Sequence, residues 1–349
     1  MRSTRFLAAA SATALALTLG ACGSDDDSEA TDAGGSEGGS SSAAAFPVTI
    51  EHVYGETTIE EKPERVATVA WANHEVPLAL GVVPVGMSKA TWGDDDNDGV
   101  LPWVEEKLEE LDAETPVLFD ETEGIDFEAV ADTQPDVILA SYSGITQEEY
   151  DTLSKIAPVV AYPDVAWSTS VEDMTLMNSK ALGLETEGEE LVADLQARVS
   201  ESFAAHPGLA DKSAMFAYID PKDLSTVGFY TTHDTRPGFL AASGMVTPAV
   251  VEEASSESDE FYVTRSAENP EDFADVDVFI TYGDPAGGDI VKMIQADPLL
   301  SKIPAVKAGA IAIFEDSTPL AASANPSPLS IMWGIDEYFD VIEAAAEKA

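Results

Sequence analysis

Cysteine is almost absent from these 349 residues: Cys22 is the only one. A lone thiol forms no intrachain disulfide and supplies neither a thiolate zinc site nor a redox pair. Positive charge is also scarce. Lys and Arg number 17 against 65 Asp and Glu, a formal net charge of −48. So acidic a surface repels nucleic acid and anionic lipid and reads as a solvated acidic coat. Histidine is rare as well. His52, His74, His206 and His233 show no close pairing, so metal capture by imidazoles is not expected; His74, beside Trp71, reads as a satisfied helix-start histidine. No G-x-S-x-G elbow follows a predicted strand, the single match at residues 34–38 being part of a Gly/Ser-rich run, no G-x-x-x-x-G-K-[ST] loop occurs, and Asn73-His74-Glu75 has no nucleophile to serve, which leaves a hydrolase without support. Long apolar runs are missing too: no segment reaches about 18 uncharged apolar residues, the length of a membrane-spanning helix.

What is present begins at the start of the chain. Arg2 and Arg5, an apolar run over residues 6–19 and the small residues before Cys22 form an export signal. Leu19-Gly20-Ala21-Cys22 resembles a bacterial lipobox, which implies cleavage before Cys22 and lipidation of that residue. Such cleavage removes two arginines and no acid, taking the net charge from −48 to −50. Residues 23–45 are Gly, Ser, Ala, one Thr and acids with no core-forming side chain, a solvated tether with a reach of about 25 Å. The expected organisation is a signal peptide over 1–21, a lipid-anchored linker over 22–45 and about 300 further residues, enough for two domains.

The remaining pattern is alternating. A hairpin is expected over 46–60, strands over 65–70, 82–87, 136–140 and 159–162, and helices over 74–80, 126–132 and 146–156. From 170 to 206 the pattern is helical with one break at Gly183; Leu191, Val192, Leu195, Val199 and Phe203 recur at helical spacing. The alternation then resumes, with strands over 214–219, 226–230, 276–282 and 310–314 and helices over 237–242, 289–303 and 329–346. DFEAVADTQPDVILASY (126–142) is echoed by SAENPEDFADVDVFITY (266–282). The fold class expected is α/β: two doubly wound parallel lobes, 46–168 and 211–349, joined by a helical connector over 169–210. Their ligand cleft lies between the strand carboxyl ends.

Aromatic residues gather at those predicted ends: Trp71, Tyr142, Tyr162 and Trp167 in the first lobe, Phe229, Tyr230, Phe261, Tyr262 and Tyr282 in the second. ERVATVAWANHEVPLALGVVPVGM, GIDFEAVADTQPDVILASYSGITQEEYDTLSKIAPVVAYP, NSKALGLETEGEELV and DPLLSKIPAVKAGAIAIF follow in an order and spacing that resemble the iron-siderophore-binding lipoproteins of ABC importers, the helical-backbone type of periplasmic binding protein. The resemblance spans 46–349. It implies a monomeric receptor without enzymatic activity, anchored on the outer face of the cytoplasmic membrane. Such a receptor captures a ferric siderophore and delivers it to a permease, and iron enters only within the chelate, with no cofactor besides. Vitamin B12 or haem are the alternative ligands of that fold, and an adhesion module would carry the same tether.

Flat apolar faces with a polar rim suit a bulky chelate, so ligand contacts are expected from Trp71, Tyr142, Trp167, Phe229, Tyr230, Tyr262 and Tyr282, and the resemblance implies that Arg236 reaches the chelate oxygens. It also implies permease docking through Glu128 and Glu268, each taken as a helix-start acid favoured by the macrodipole. A tris-catecholate complex carries three negative charges and needs clustered cations; the scarcity of arginine favours a hydroxamate-type chelate. One signal competes. Asp94, Asp96, Asp98, Gly99 and Glu105 match the calcium-loop pattern, yet the stretch before them reads as strand and Pro102 occupies position 9, so a solvated Asp turn is the expectation and no metal.

Overall fold

The computed structural model describes residues 46–220, 222–283 and 289–349; the signal segment, Cys22 and the tether lie outside them. β1 (Val48–His52) and β2 (Gly55–Ile59) pair as an antiparallel hairpin turning at Val53-Tyr54, with Val48, Ile50 and Ile59 inward. The first lobe continues through β3 (Val66–Thr68), α1 (Glu75–Ala79), β4 (Gly86–Ser88), α2 (Pro102–Glu110), β5 (Val117–Phe119), α3 (Phe127–Asp132), β6 (Val137–Leu139), α4 (Gln147–Leu153) and β7 (Val159–Val160). Its sheet is parallel in the order β5-β4-β3-β6-β7. All residues of β3 and β6 are buried, as strands covered on both faces must be. Thr146 and Glu149 close a capping box on α4, and Asp126 caps α3 by accepting from Ala129 N–H.

The helical stretch is α5 (Val171–Ala181) and α6 (Glu185–Ala205). They part at Gly183, whose φ of +67° is left-handed and whose absent Cβ leaves room for the Phe46 ring. At 21 residues α6 is about 30 Å long. The second lobe follows with β8 (Ala214–Tyr218), β9 (Thr226–Tyr230), α7 (Thr235–Ser243), α8 (Ala249–Glu257), β10 (Tyr262–Ser266), β11 (Val278–Gly283), α9 (Ile290–Ala296), α10 (Pro304–Ala308), β12 (Ile311–Glu315), α11 (Pro319–Ser323) and α12 (Pro328–Ala346).

Here the expectation of a wholly parallel sheet is corrected. The order is β10-β9-β8-β11-β12; β8, β11 and β12 run parallel, whereas β9 is antiparallel to β8 and to β10. Only residues 219–225 connect β8 to β9, and a parallel crossover needs a dozen or more. The single helix expected over 289–303 is interrupted after α9, because Pro298 lacks the N–H that would continue it. β5, α8, β10, α10 and α11 had no counterpart among the sequence expectations.

α6 is not the only link between the lobes. α12 lies along it: Asp336 accepts from Arg198 Nη1 and Nη2 at 3.0 and 2.7 Å and from Ser202 Oγ at 2.6 Å, His206 Nε2 meets Asp340 at 3.1 Å, and Gly208 N–H donates to Glu343 at 2.6 Å. The opposite end of α12 reaches the first lobe, where Leu329 packs with Leu78, Leu101 and Val104 and Trp333 meets Trp103 at 5.2 Å.

Burial alone lowers the affinity of His206 for its proton, but the Ser202 carbonyl and the Asp340 carboxylate raise it, and the net displacement is upward. The ion pair therefore contributes its full stability below the ordinary histidine value and loses it as pH rises through the raised one. Thermal unfolding of Asp340→Asn should show a greater loss at pH 6 than at pH 8.5; equal losses would refute the pairing.

Candidate functional site

The second-lobe sheet presents a floor of tyrosines. Period-two alternation puts Phe216 and Tyr218 of β8 on one face, and register sets Gly228 opposite Tyr218 and Tyr262 opposite Tyr230. Tyr230 meets Tyr262 edge-on at 5.4 Å; Phe216 touches Tyr230 at 5.8 Å and Tyr282 at 5.4 Å. A Cβ at Gly228 would stand 1.7 Å from the Tyr262 hydroxyl, so a larger residue there would displace that ring. Tyr218, at the open end, is 47% exposed.

Arg236 enters this floor from the first turn of α7. Its guanidinium carbon lies 4.3 Å from the Tyr230 ring centroid and 5.7 Å from that of Phe216. Asp234, the N-cap of α7, accepts from the Arg236 backbone N–H and from Nη1, both at 2.9 Å. Burial pushes the Asp234 carboxyl up while Arg236 pulls it down, and burial wins. Arg236 Nε and the Tyr282 hydroxyl are buried without a partner among the described residues, and burial pushes the Tyr282 phenol up to about 12.

The first lobe closes on this floor from the ends of its strands. Tyr142, after β6, stands 3.3 Å from Thr235 Oγ1 and accepts from Asn325 Nδ2 at 3.1 Å; Trp167 meets its ring edge-on at 5.5 Å. Asn73 sets the height of Tyr142: its Nδ2 donates to the Val69 and Tyr142 carbonyls at 2.9 and 2.8 Å, and its Oδ1 accepts from Tyr142 N–H at 3.2 Å. Trp71, after β3, packs in one cluster with Tyr142 and Trp167. Glu121, after β5, accepts from Ala70 N–H at 2.9 Å and Ser88 Oγ at 3.0 Å, and burial pushes it up to about 7. Trp92 crosses the seam, donating to Asp316 Oδ1 at 3.0 Å and meeting Tyr282 edge-on at 5.4 Å.

The structure thus gathers Trp71, Tyr142, Trp167, Tyr230, Arg236, Tyr262 and Tyr282 along one seam. Phe229 is a correction. The alternation that turns Tyr230 to the seam turns Phe229 to the opposite face, where it is fully buried against Phe273. Tyr162 bonds the Tyr54 hydroxyl at 2.9 Å on the hairpin side. Trp92, Tyr218, Glu121 and Asn325 were missed. Only Tyr218 carried a signal, two residues beyond Phe216 on an expected strand.

Glu128 is exposed in the first turn of α3. Glu268 is exposed too, but it stands in the turn between β10 and a 3₁₀ turn at Pro270–Phe273, so the macrodipole argument does not reach it; Pro270 starts the turn late and its four residues never become an α-helix. His74 is likewise corrected: its Nδ1 is buried without a partner among the described residues, and burial brings the imidazole down to about 4. In the acidic loop, carboxylate oxygens of Asp94, Asp96 and Asp98 lie within 4.8 Å of one another. Asp94 accepts from Asn97 and Gly99 N–H, each at 2.7 Å, as a self-bonded Asp turn does. Burial and then the Asp98 and Asp96 charges push Glu105 up to about 7.

A cavity of about 470 Å³ lies between α6 and α7, with Asp234 and Thr235 in its lining. Trp92 and Tyr282 meet across the seam, and Tyr142 is hydrogen-bonded to Asn325 across it. Together the seam residues offer flat π faces and one guanidinium, with tyrosine hydroxyls around them. That chemistry suits enclosing a bulky, oxygen-rich molecule rather than transforming it.

The sequence pattern described as periplasmic binding protein matches residues 66–318. Two curated relatives come from Bacillus subtilis (strain 168). One, a probable siderophore-binding lipoprotein, YfiY, is 27% identical over 187 residues, 53% of this chain and 51% of that protein. The other, a putative ABC transporter substrate-binding lipoprotein, YhfQ, is 29% identical over 168 residues, 48% of this chain and 49% of that protein. The chain spans about half the length of these relatives. Among solved structures, Streptococcus pneumoniae TIGR4 PiaA in complex with ferrichrome superposes with a TM-score of 0.82 at 48% identity, covering 86% of this chain and 99% of that one. Staphylococcus aureus SirA complexed with staphyloferrin B reaches 0.64 at 20% identity, covering 84% and 98%, a likeness of fold alone.

Asp234→Ala would strand a buried guanidinium. Chemical unfolding should register a loss of about 3–5 kcal/mol; a loss below about 1 kcal/mol would mean that Arg236 finds solvent without its partner.

Proposed function

Because the chain belongs to the periplasmic binding protein family, we propose that it is an extracytoplasmic receptor that captures a ferric siderophore of the hydroxamate type and hands it to an ABC permease. The observation that carries this reading is the placement of Arg236, pinned by Asp234 and laid on Tyr230 at a seam walled by Trp71, Trp167 and Tyr262. With Nη1 committed to Asp234, the remaining guanidinium N–H groups are available to chelate oxygens, and the aromatic faces cover the chelate's apolar surface. The mechanism is non-covalent. Iron arrives as cargo, already wrapped by its chelator.

Two further considerations support the ligand class. PiaA, at 48% identity, has been crystallised with ferrichrome, and a neutral hydroxamate complex approaches a chain of net charge −48 without the repulsion that a triply negative catecholate would meet. Glu121 belongs to the same site, holding the Trp71 loop through the Ala70 N–H. Glu128 and Glu268, exposed one on each lobe, would face cations of the permease, and lipid on Cys22 would keep the receptor at the membrane.

Tryptophan quenching on titration with ferrichrome tests this. Saturable binding is expected, weakened roughly 10- to 100-fold in Arg236→Ala, the worth of one charge-assisted hydrogen bond of about 1.5–3 kcal/mol. Binding of a ferric catecholate or haem with none of ferrichrome would overturn the ligand class. Charge reversal at Glu128 and Glu268 together should leave that titration unchanged while abolishing chelate-dependent growth under iron limitation; weakened binding would argue against docking as their role.

A further inference from the structure

Glu75 opens α1 in the first lobe and is 1% exposed. Its carboxylate faces the other lobe. Oε1 accepts from the indole N–H of Trp103 on α2 at 2.8 Å, and Oε2 accepts from the backbone N–H of Leu329, in the first turn of α12, at 2.9 Å. Pro328 before it brings no N–H, and the first turn of α12 contains no acid of its own. An acid of one lobe thus satisfies an unpaired N–H at the positive end of a 19-residue helix seated in the other.

Among the described residues no charged side chain answers it. From α1 the neighbour is His74, a neutral imidazole at pH 7. α2 brings Trp103, and its Lys107 is paired with Glu110. On α5 the ionisable residues are Glu172 and Asp173, both exposed, and Lys180 at the far end. α12 offers the hydroxyls of Ser327 and Ser330, its first acid being Asp336, held by Arg198 two turns on.

We propose that Glu75 is a proton-operated latch between the lobes, its charge state setting how firmly the first turn of α12 stays seated and so how readily the seam opens. The sign follows from burial. Enclosure raises the carboxyl from 4.5 to about 7, outweighing the hydrogen bonds from Ser327, Trp103 and Leu329 that favour the anion. Opening returns the group to water and to its ordinary value, so the closed form binds more protons than the open one. Closure is therefore fully favoured below about pH 4.5, its advantage declines as pH rises to about 7, and above that nothing further changes. Acid holds the seam shut.

The latch is independent of the ligand reading, because it is measured without ligand. In full-length Cys22→Ser protein, dyes on cysteines introduced at the exposed positions Asp151 and Glu271 report lobe separation by energy transfer. The open-to-closed ratio should rise by more than about tenfold between pH 5 and pH 7.5 and then level off. Glu75→Gln, uncharged at every pH, should stay at the acid level throughout. Trp103→Phe, which removes a donor to the anion, should shift the midpoint to higher pH and provides a second route if the Gln variant folds poorly. A separation that ignores pH, or a Gln variant that follows the wild-type curve, overturns the latch.

Discussion

The seating of α12 on both lobes at once is the constraint on which the rest depends. A single 21-residue helix would leave two lobes free to twist about its axis. α12 removes that freedom. Charge and hydroxyl contacts tie its body to α6 through Asp336, Asp340 and Glu343, and its first turns sit among Leu78, Leu101, Trp103 and Val104 of the first lobe. Each large apolar side chain withdrawn from water in such a cluster contributes roughly 1.5–3 kcal/mol. Two points of attachment along one spine hold the strand ends face to face, and only then do Tyr142 and Asn325, or Trp92 and Asp316, come within bonding distance.

Charge is distributed with the same economy. The surface is overwhelmingly acidic, yet the buried carboxylates Asp234 and Glu75 and the half-buried Glu121 each have assigned donors, as burial demands. The four arginines beyond residue 5 have separate tasks. Arg65 donates Nε–H to the Gln134 carbonyl, Arg198 bolts α6 to α12, Arg265 pairs with Glu257, and Arg236 stands at the seam. The scarcity of cations in the sequence thus becomes selectivity of placement. One guanidinium inside a wall of aromatic rings provides direction and hydrogen bonding without the clustered charge that a polyanion would require.

How much of this was legible depends on the range of the interaction. The hairpin and the break at Gly183 were readable because each rests on residues a few positions apart. The repeat between 126–142 and 266–282 was readable as letters and still misled. Asp126 caps a true α-helix, whereas Pro270 turns the second copy into a 3₁₀ turn and leaves Glu268 outside it. At Phe229-Tyr230 the alternation guarantees that only one ring faces the seam, but which one depends on the layers packed above and below.

What the sequence by itself determined, then, is the local grammar: α/β alternation, a helical connector, an acidic exterior and aromatic residues placed after strands. These follow from periodicity, capping and turn chemistry, all short-ranged along the chain. The tertiary structure alone decided the seam. Glu75 meets Leu329 across 254 positions, Trp92 meets Asp316 across 224 and Tyr142 meets Asn325 across 183. No local pattern encodes such partners, because their distance is set by how two separately wound sheets are held by α6 and α12.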